Sequence, residues 1–418
     1  MQGHHLTEQR RDAKSPRLIV PASLVAGASG WGMTAAGAGA STLADQYGTG
    51  FVAVGLLTTV FAAAYAGLQI PAGQLIDRFG VRRTALAGTS LTASAYLVAL
   101  LVPVLGNAFV MRAVAGVSSA VGFVAGAELA RRAGTGLVGL GIFGGFAIGF
   151  GGLAVAVVPT LEPVLGWTSA WSTCAVVAVA AAVVVWLMVP AGDGGRSVAA
   201  GSGVTRRPLL RDGELYRLTA IHAVTLGLGV VLSNWAAVVL TDRWGVGRTS
   251  AVSIASLILV LTIVSRPLGG AIVGRYPGSV RPMTVSCLLV CAGSTVALAF
   301  PSSAGVAAAA ALGLGVAGGL PFSAVLASAQ RWRPDRPAAA VGMLNAGANL
   351  LVVLGTPVVA GAIESGRTTL ALIVFAVLWL TPIAMLPRTF RPDPAPRRPA
   401  RPRRPSTPSR RGRPSRPW

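Results

Sequence analysis

The sequence is short of charge, and most of the charge it has is positive. Of its 418 residues only 11% are charged, with 13 acidic side chains against 35 Lys and Arg. About a quarter of the residues in a soluble domain are charged, so this chain cannot cover a folded surface with groups that face water. Its hydrophobic content of 53% and mean hydropathy of +0.67 predict a protein that is solvated mostly by lipid.

Histidine and cysteine are also scarce, which argues against an enzyme or a metalloprotein. Two of the three histidines are the adjacent His4 and His5, and Cys174, Cys287 and Cys291 all lie in apolar runs. The cysteine spacing matches no metal site or disulfide framework, no P-loop pattern occurs, and catalysis needs a cluster of titratable groups. We therefore expect no enzymatic activity, no metal, no cofactor and no ATP-driven transport by this chain.

Twelve apolar runs make up most of the chain. Each is close to the ~20 residues that a helix needs to cross a bilayer, so together they predict an all-α membrane protein. The first run is too long for the core of a typical signal peptide and is counted as a span. The predicted spans are residues 18–39, 51–76, 84–102, 108–129, 137–158, 169–189, 218–240, 250–273, 283–300, 304–329, 338–363 and 369–386.

The basic residues lie mostly on one side of these spans. If Met1 is cytoplasmic, the cytoplasmic segments carry 30 of the 35 Lys and Arg, and the outer loops carry three. Positive residues mark the cytoplasmic side of membrane proteins. We therefore predict a multi-pass protein of a cell inner membrane with both termini in the cytoplasm.

The two halves of the sequence repeat one another. When the first half is shifted by 197 positions, the segment 43–50 falls on 240–247, Gly73 falls on Gly270, and Arg78 falls on Arg275. The starts of all six spans in each half match within a few residues, which chance does not explain. A parallel repeat of six spans predicts two related halves with a site between them.

A short loop between the second and third spans carries the most distinctive motif, GQLIDRFGVRR at 73–83. Glycine allows the sharp turn that such a loop needs, and arginine holds the loop on the cytoplasmic side; any tight cytoplasmic loop shares these properties. The pattern Gly-x-x-x-Asp-Arg-x-Gly followed by basic residues also resembles the corresponding loop of major facilitator superfamily transporters. The internal repeat strengthens the resemblance, which covers roughly residues 18–386.

The resemblance implies a transporter with twelve helices whose two halves rock about a central cavity. It implies that the loop gates the inner side by meeting the end of the eleventh helix. In the second copy, Gly274 stands where the family commonly has an aspartate, so an ionic latch is expected in the first half only. The gating candidates are Gly73, Asp77, Arg78, Gly80, Arg82, Arg83, Gly270 and Arg275.

The expected domains follow from the spans and the composition between them. They are a cytoplasmic N-terminus (1–17), a first half (18–190), a linker (191–217), a second half (218–386) and an Arg/Pro-rich tail (387–418). The tail lacks the apolar residues to build a core, and disorder is expected there. It is either a solvated tail or a binder of anionic lipid, and it lacks the stacking aromatics that support nucleic-acid binding.

Two arginines lie inside predicted spans, Arg112 in the fourth and Arg266 in the eighth. Charges within a membrane usually face a cavity or a partner, so both are candidate substrate contacts. Arg112 also resembles the Arg-x-x-x-Gly signature of the family's fourth helix, which implies a role in proton coupling or conformational linkage. The alternative for Arg112 is that its side chain snorkels to the outer surface.

No Asp or Glu lies deep in any predicted span, so the interior carries only positive charge and favours an anionic substrate. Nitrate porters of the superfamily also place an arginine before Pro-Leu-Gly-Gly on the eighth helix. Where they carry a second arginine, this chain has Gln69, which weakens the nitrate interpretation. Further candidates for contact with substrate are Gln69, Asn234 and Trp31. His222 is open to two interpretations, a titrating group or a hydrogen-bonded packing residue.

The fifth span is rich in glycine. Gly141, Gly145 and Gly149 recur every four residues and present bare backbone along one stripe, which predicts close approach of another helix. By resemblance that helix is the eighth. The antiporter branch of the family has a proline in its fifth-helix signature that this run lacks.

The function we expect is secondary active transport of a small solute, favouring an anion, by alternating access. The partners expected are that solute, the bilayer, and H⁺ or a counter-ion where transport is coupled. The alternative is an exporter of amphipathic drugs or metabolites working as an antiporter. A membrane sensor without transport is less favoured, because no folded cytoplasmic domain is evident.

Overall fold

A computed structural model describes residues 15–69, 71–191 and 209–390, without the side chains at positions 73, 74, 77 and 338. The predicted cytoplasmic N-terminus, most of the predicted linker and nearly all of the predicted tail lie outside these ranges. Within them, almost the whole chain is helical.

Twelve stretches of helix are long and apolar enough to cross a membrane, which confirms the predicted fold class and the number of spans. We number them α1 to α12. Their inner ends are those next to the arginine-rich segments, and their outer ends are the opposite ones. The spans are α1 Pro16–Ala38, α2 Phe51–Leu68, α3 Val81–Leu101, α4 Leu105–Ala133, α5 Gly136–Leu165, α6 Thr168–Met188, α7 Gly213–Trp244, α8 Arg248–Arg275, α9 Pro277–Ala299, α10 Ala304–Trp332, α11 Ala339–Glu364 and α12 Thr368–Met385.

The second span is shorter than its apolar run predicts. Helix α2 ends at Leu68 rather than at position 76, and a separate short helix, Ala72–Phe79, follows it. Pro71 explains the interruption, because proline has no N–H to donate and disfavours helical backbone in the residue before it. The predicted second span therefore consists of two helices, with the break between them near its inner end. A second short helix, Ala40–Tyr47, follows α1 at the outer end.

Helix α7 begins earlier than predicted, at Gly213 instead of position 218. Asp212 caps it by accepting hydrogen bonds from the backbone N–H groups of Glu214 and Leu215, a common device for the first turn of a helix. The start of the predicted tail is also ordered, since the N–H of Thr389 donates to Glu214 at 2.7 Å.

The two groups of six spans pack in equivalent ways. In the first group, α1 packs on α5, α2 on α4, and α3 on both α4 and α6. In the second group the equivalent pairs recur, with α7 on α11, α8 on α10, and α9 on both α10 and α12. Between the groups the main contacts are α5 with α8 and α2 with α11, which the sequence repeat also makes equivalent.

The glycine stripe of α5 faces α8. A Cβ atom added at Gly141 would lie 2.5 Å from the carbonyl oxygen of Arg266, and one at Gly145 would lie 2.7 Å from that of Thr262. At Gly149 it would meet the side chain of Ile263. Only bare backbone allows the two helices to come this close, and this approach carries Arg266 to the boundary between the halves.

Candidate functional site

Arg266 is a buried charge at the boundary between the halves, with only 1% of the residue exposed. Its Nη1 donates to the carbonyl oxygen of Gly144 on α5 at 2.7 Å, and its guanidinium lies 4.0 Å from the ring centre of Phe322 on α10. Its Nε has no hydrogen-bond partner. No ion pair joins it to any carboxylate among the described side chains. A buried cation without a counter-ion is costly, so this position is short of negative charge.

A chain of hydrogen bonds crosses the boundary beside Arg266. His222 on α7 bonds through Nε2 to Oδ1 of Asn345 on α11 at 3.0 Å. The Nδ2 of Asn345 donates to Oε1 of Gln69, just beyond α2, at 3.5 Å. His222 lies against Phe322, with 5.8 Å between ring centres. Phe322 thus touches both the histidine and the guanidinium.

Several polar atoms on and beside this series of hydrogen bonds have no partner among the described residues. Gln69 leaves Nε2, His222 leaves Nδ1 and Asn349 leaves Oδ1 without a partner, although all three residues are buried. Buried polar atoms are nearly always paired in native proteins. The Nε of Arg266 and these three atoms are therefore buried polar groups that still lack a partner among the described residues.

Helix α7 changes its winding directly after His222. Residues Ala223–Leu228 form a π-helix, which interrupts the α-helix within the span. Turns of π-helix are rare and occur often at functional sites. Thr225 supports the turn by donating to the carbonyl oxygen of Ile221 at 2.9 Å.

A second group of unpaired polar atoms lies closer to the outer ends. Asn234 leaves both atoms of its amide group unpaired and sits beside Gly37 of α1. Its neighbour Trp235 leaves Nε1 unpaired, as Thr356 on α11 leaves its hydroxyl. Trp235 and Thr356 both border Gly55 of α2. These groups therefore also face the boundary between the halves.

Trp31 and Arg112 are tied into the first half. Trp31 donates from Nε1 to the hydroxyl of Thr173 on α6 at 3.0 Å. Arg112 donates to the carbonyl oxygens of Leu57 at 3.0 Å and of Gly32 at 2.5 Å. Arg112 is 1% exposed, which excludes the alternative that its side chain snorkels to the outer surface.

The predicted gating loop is compact. Gly80 has φ of 80° and ψ of 155°, a backbone conformation that favours glycine, and it joins the short helix 72–79 to α3. Arg82 donates to the carbonyl oxygen of Trp186 at 2.9 Å, while Arg78 and Arg83 are exposed. Only the backbone is described at positions 73 and 77, so the predicted latch at Asp77 stays a prediction.

In the second copy of the motif, Gly270 lies against α5. A Cβ atom added there would be 2.5 Å from the carbonyl oxygen of Leu137. Arg275 is exposed and lies 5.8 Å from the ring centre of Tyr276.

Two carboxylates that the sequence analysis did not select join the halves at their outer ends. Glu162 on α5 pairs with Arg248, the first residue of α8, and accepts from the hydroxyl of Thr42 at 3.1 Å. Glu364, the last residue of α11, accepts from the N–H of Val52 on α2 at 3.1 Å. Each acid lies near the outer end of the fifth span of its half. This shared position is visible in the sequence and could have identified both residues.

A third group lies at the inner ends, within the second half. Arg333 donates to Asp212 at 3.3 Å and to Asp335 at 3.0 Å, and these hydrogen bonds raise the pKa of its guanidinium above the ordinary value. Asp212 also accepts from Nε1 of Trp332 at 3.0 Å. The cluster ties the start of α7 to the inner end of α10.

The described halves are closed on each other. One cavity of about 20 Å³ lies within the second half beside Trp235 and Val359, and one of about 10 Å³ lies within the first half beside Ser29 and Thr92. Each has room for about one water molecule. The polar groups at the boundary are themselves buried in this conformation, and the halves touch at both the inner and the outer ends.

Comparison with known proteins relates this arrangement to a family. A family model described as Major Facilitator Superfamily matches residues 22–288 and 218–418. Among solved structures, the human organic anion transporter MFSD10 (TETRAN) is similar with a TM-score of 0.67 and 14% sequence identity, over 91% of this chain and 99% of that one. A comparison with curated protein sequences finds no match.

Proposed function

Because the chain belongs to the Major Facilitator Superfamily and is a transporter of that type with twelve membrane spans, we propose that it carries a small anion bound at Arg266. The observation that supports this most directly is the buried guanidinium itself. Among the described residues its Nε is unpaired, and the side chain has a single hydrogen bond, to a carbonyl oxygen. An anion with two oxygens would supply the missing charge and the missing acceptor together.

Further groups support the same substrate class. The unpaired Nε2 of Gln69 is a hydrogen-bond donor that approaches from the first half, whereas Arg266 belongs to the second. An anion held by both would connect the halves, as alternating access requires. The fold neighbour MFSD10 is described as an organic anion transporter; at 14% identity that likeness concerns the fold, so the substrate proposal rests on Arg266.

The transport step we propose is a rocking of the halves about α5–α8 and α2–α11. Bare backbone at the glycine stripe provides a smooth surface along which α5 and α8 can tilt. Opening at the inner ends would separate Asn345 from Gln69, and opening at the outer ends would separate Glu162 from Arg248. The small anion is thereby exposed to one side at a time.

The test is transport in proteoliposomes with nitrate, inorganic phosphate and benzoate as probe anions. For the anion that is carried, Arg266→Gln should lower uptake about tenfold or more, because a hydrogen bond to a charged group contributes about 1.5–3 kcal/mol. Arg243→Gln, in an exposed outer segment, is the matched control and should transport normally.

Unchanged uptake by a folded Arg266→Gln protein would remove the anion proposal. The competing function is export of amphipathic compounds. It is tested in the same vesicles by measuring the movement of a lipophilic cationic dye. Dye movement that persists in Arg266→Gln while none of the three anions moves would favour the exporter.

A further inference from the structure

His222 has one ring nitrogen in a hydrogen bond and the other unpaired. The residue is 1% exposed, Nε2 is bonded to Asn345, and Nδ1 has no partner. A packing histidine would be expected to satisfy both nitrogens when it is this deeply buried. The unpaired nitrogen therefore calls for a second ligand.

The neighbouring amides determine which nitrogen carries the proton. Asn345 donates from Nδ2 to Gln69, so its Oδ1 is the atom that faces the histidine. Because a carbonyl oxygen only accepts hydrogen bonds, Nε2 of His222 must be the protonated nitrogen. In the neutral imidazole, Nδ1 then carries a buried lone pair that is free to take a proton.

Burial and Arg266 together determine whether His222 can be charged. Both side chains lie against Phe322, the guanidinium 4.0 Å and the imidazole 5.8 Å from its ring centre. Two cations that share a buried site repel each other strongly, so Arg266 alone favours the neutral imidazole. An anion bound at the guanidinium would cancel this repulsion.

The other helices packed on His222 bring no acid toward it within the described chain. Helix α11 contributes the neutral amides Asn345 and Asn349, and α10 contributes Phe322. On α2 the titratable group is the phenol of Tyr65, which lies one turn before Gln69. On α7 itself, Glu214 lies two turns away and is held by Thr389. Arg266 is thus the charged group that dominates the surroundings of the imidazole.

We propose that Nδ1 of His222 is the proton-binding atom of this transporter and takes a proton from water in step with anion binding at Arg266. The proposal rests on the anion function proposed above and adds its coupling ion. One proton and one anion would move together, which is electroneutral for a monovalent anion. By linkage, the anion must bind more tightly as the pH falls, and the proton more tightly when the anion is present.

The first test requires no knowledge of the substrate. With His4 and His5 replaced by glutamine, His222 is the single histidine of the chain, so nitrogen NMR of ¹⁵N-histidine-labelled protein reports it alone. Between about pH 5 and 8, where free histidine titrates, the imidazolium fraction should be larger in Arg266→Gln than in the parent. Arg266→Lys keeps the charge and is the control. An imidazolium fraction that does not respond to Arg266→Gln would overturn the proposal.

The second test measures affinity for the probe anion that is transported among nitrate, phosphate and benzoate. In the parent, affinity should rise by up to about tenfold for each unit that the pH falls, as expected for one linked proton. His222→Gln retains an N–H for Asn345 and should bind with little dependence on pH. This comparison uses only the parent and His222→Gln, so it tests the role of His222 even if the Arg266→Gln protein does not fold.

The two proposals fail in different ways. Anion binding that is lost in Arg266→Gln but has the same pH dependence in His222→Gln as in the parent would overturn the role of His222 and leave the anion function standing. Anion transport that survives Arg266→Gln would overturn both.

Discussion

At the scale of single residues, the two arginines inside the spans differ in what surrounds them. Arg112 donates to two backbone carbonyls and to the hydroxyl of Tyr96 at 3.0 Å, and its guanidinium lies 4.4 Å from the ring centre of Phe61. All these partners belong to the first half. Arg266 has one carbonyl partner and it belongs to the opposite half. We interpret Arg112 as a residue that holds α1, α2 and α3 together, and Arg266 as the ligand-binding arginine.

This difference predicts different consequences of losing each charge. Arg112→Gln should destabilise the protein by about 2–4 kcal/mol, because it removes three buried hydrogen bonds made by a charged group. Arg266→Gln should cost less, since the Arg266 side chain makes one hydrogen bond among the described residues where Arg112 makes three. Thermal unfolding in detergent compares the two variants. An Arg112→Gln protein of normal stability that binds the probe anion weakly would instead support the substrate role that the sequence predicts for Arg112.

At the scale of helices, the glycine stripe of α5 makes a prediction about close packing. Gly145→Ala would place a methyl group 2.7 Å from the backbone oxygen of Thr262, and that oxygen cannot move without α8. We expect a loss of about 1–3 kcal/mol, as for other overpacked cores, and slower transport because the halves no longer close fully. Thermal unfolding and initial uptake rates measure the two effects.

The control for this prediction is a glycine with free space around it. Gly293 lies within α9, and no atom comes within 4 Å of a Cβ added there. Gly293→Ala should be neutral or stabilising by up to about 1 kcal/mol, since alanine is the better helix former. If both variants behaved alike, close approach of α5 and α8 would not be what the stripe provides.

Local composition explains why much of the helical architecture could be predicted from sequence. Apolar runs of about twenty residues specify spans, and glycines four residues apart specify a bare stripe, because both properties belong to one segment. The break after α2 could also have been inferred, since Pro71 marks it. The π-helix after His222 could not, because its register depends on how α7 packs against α11.

The candidate site was predictable only in part, for a similar reason. An arginine in an apolar run is visible in the sequence, and so Arg266 and Arg112 were selected. Gln69 was selected because it stands where the nitrate porters carry a second arginine. The contacts of His222 with Asn345 and of Asn345 with Gln69 were not visible, because the paired residues are 123 and 276 positions apart in the sequence. Which polar residues meet across the boundary is decided by the docking of two halves.

At the scale of the whole molecule, two carboxylates close the outer side in a related way. Glu162 of α5 meets the start of α8, and Glu364 of α11 meets the start of α2. In each case an acid near the outer end of a half's fifth span contacts the first turn of the other half's second span. Carboxylates are favoured at helix N-termini, and the internal repeat makes the two contacts equivalent. Each would have to break when the outer side opens.

Weakening these contacts should shift the molecule toward an outward-open form. Glu162→Gln removes a charge from a pair whose arginine is 59% exposed, so we expect an effect of about 1 kcal/mol, or about fivefold in the population of the open form. Thr356 lies on α11, where it is buried against Gly55 of α2. Thr356→Cys, in a protein whose three native cysteines have been replaced, serves as the labelling site. Its labelling by a membrane-impermeant thiol reagent from outside should rise about fivefold, and further when Glu364→Gln is added.

Glu128→Gln supplies the matched control. Glu128 pairs with Arg131 and Arg132 on its own helix, α4, at the inner end, so losing its charge should not alter labelling from outside. Equal labelling of Thr356→Cys in the Glu162→Gln and Glu128→Gln backgrounds would show that the outer carboxylates do not hold the halves together. Closure of the outer side would then depend on apolar contacts such as Phe51 against Trp235, whose ring centres lie 6.1 Å apart.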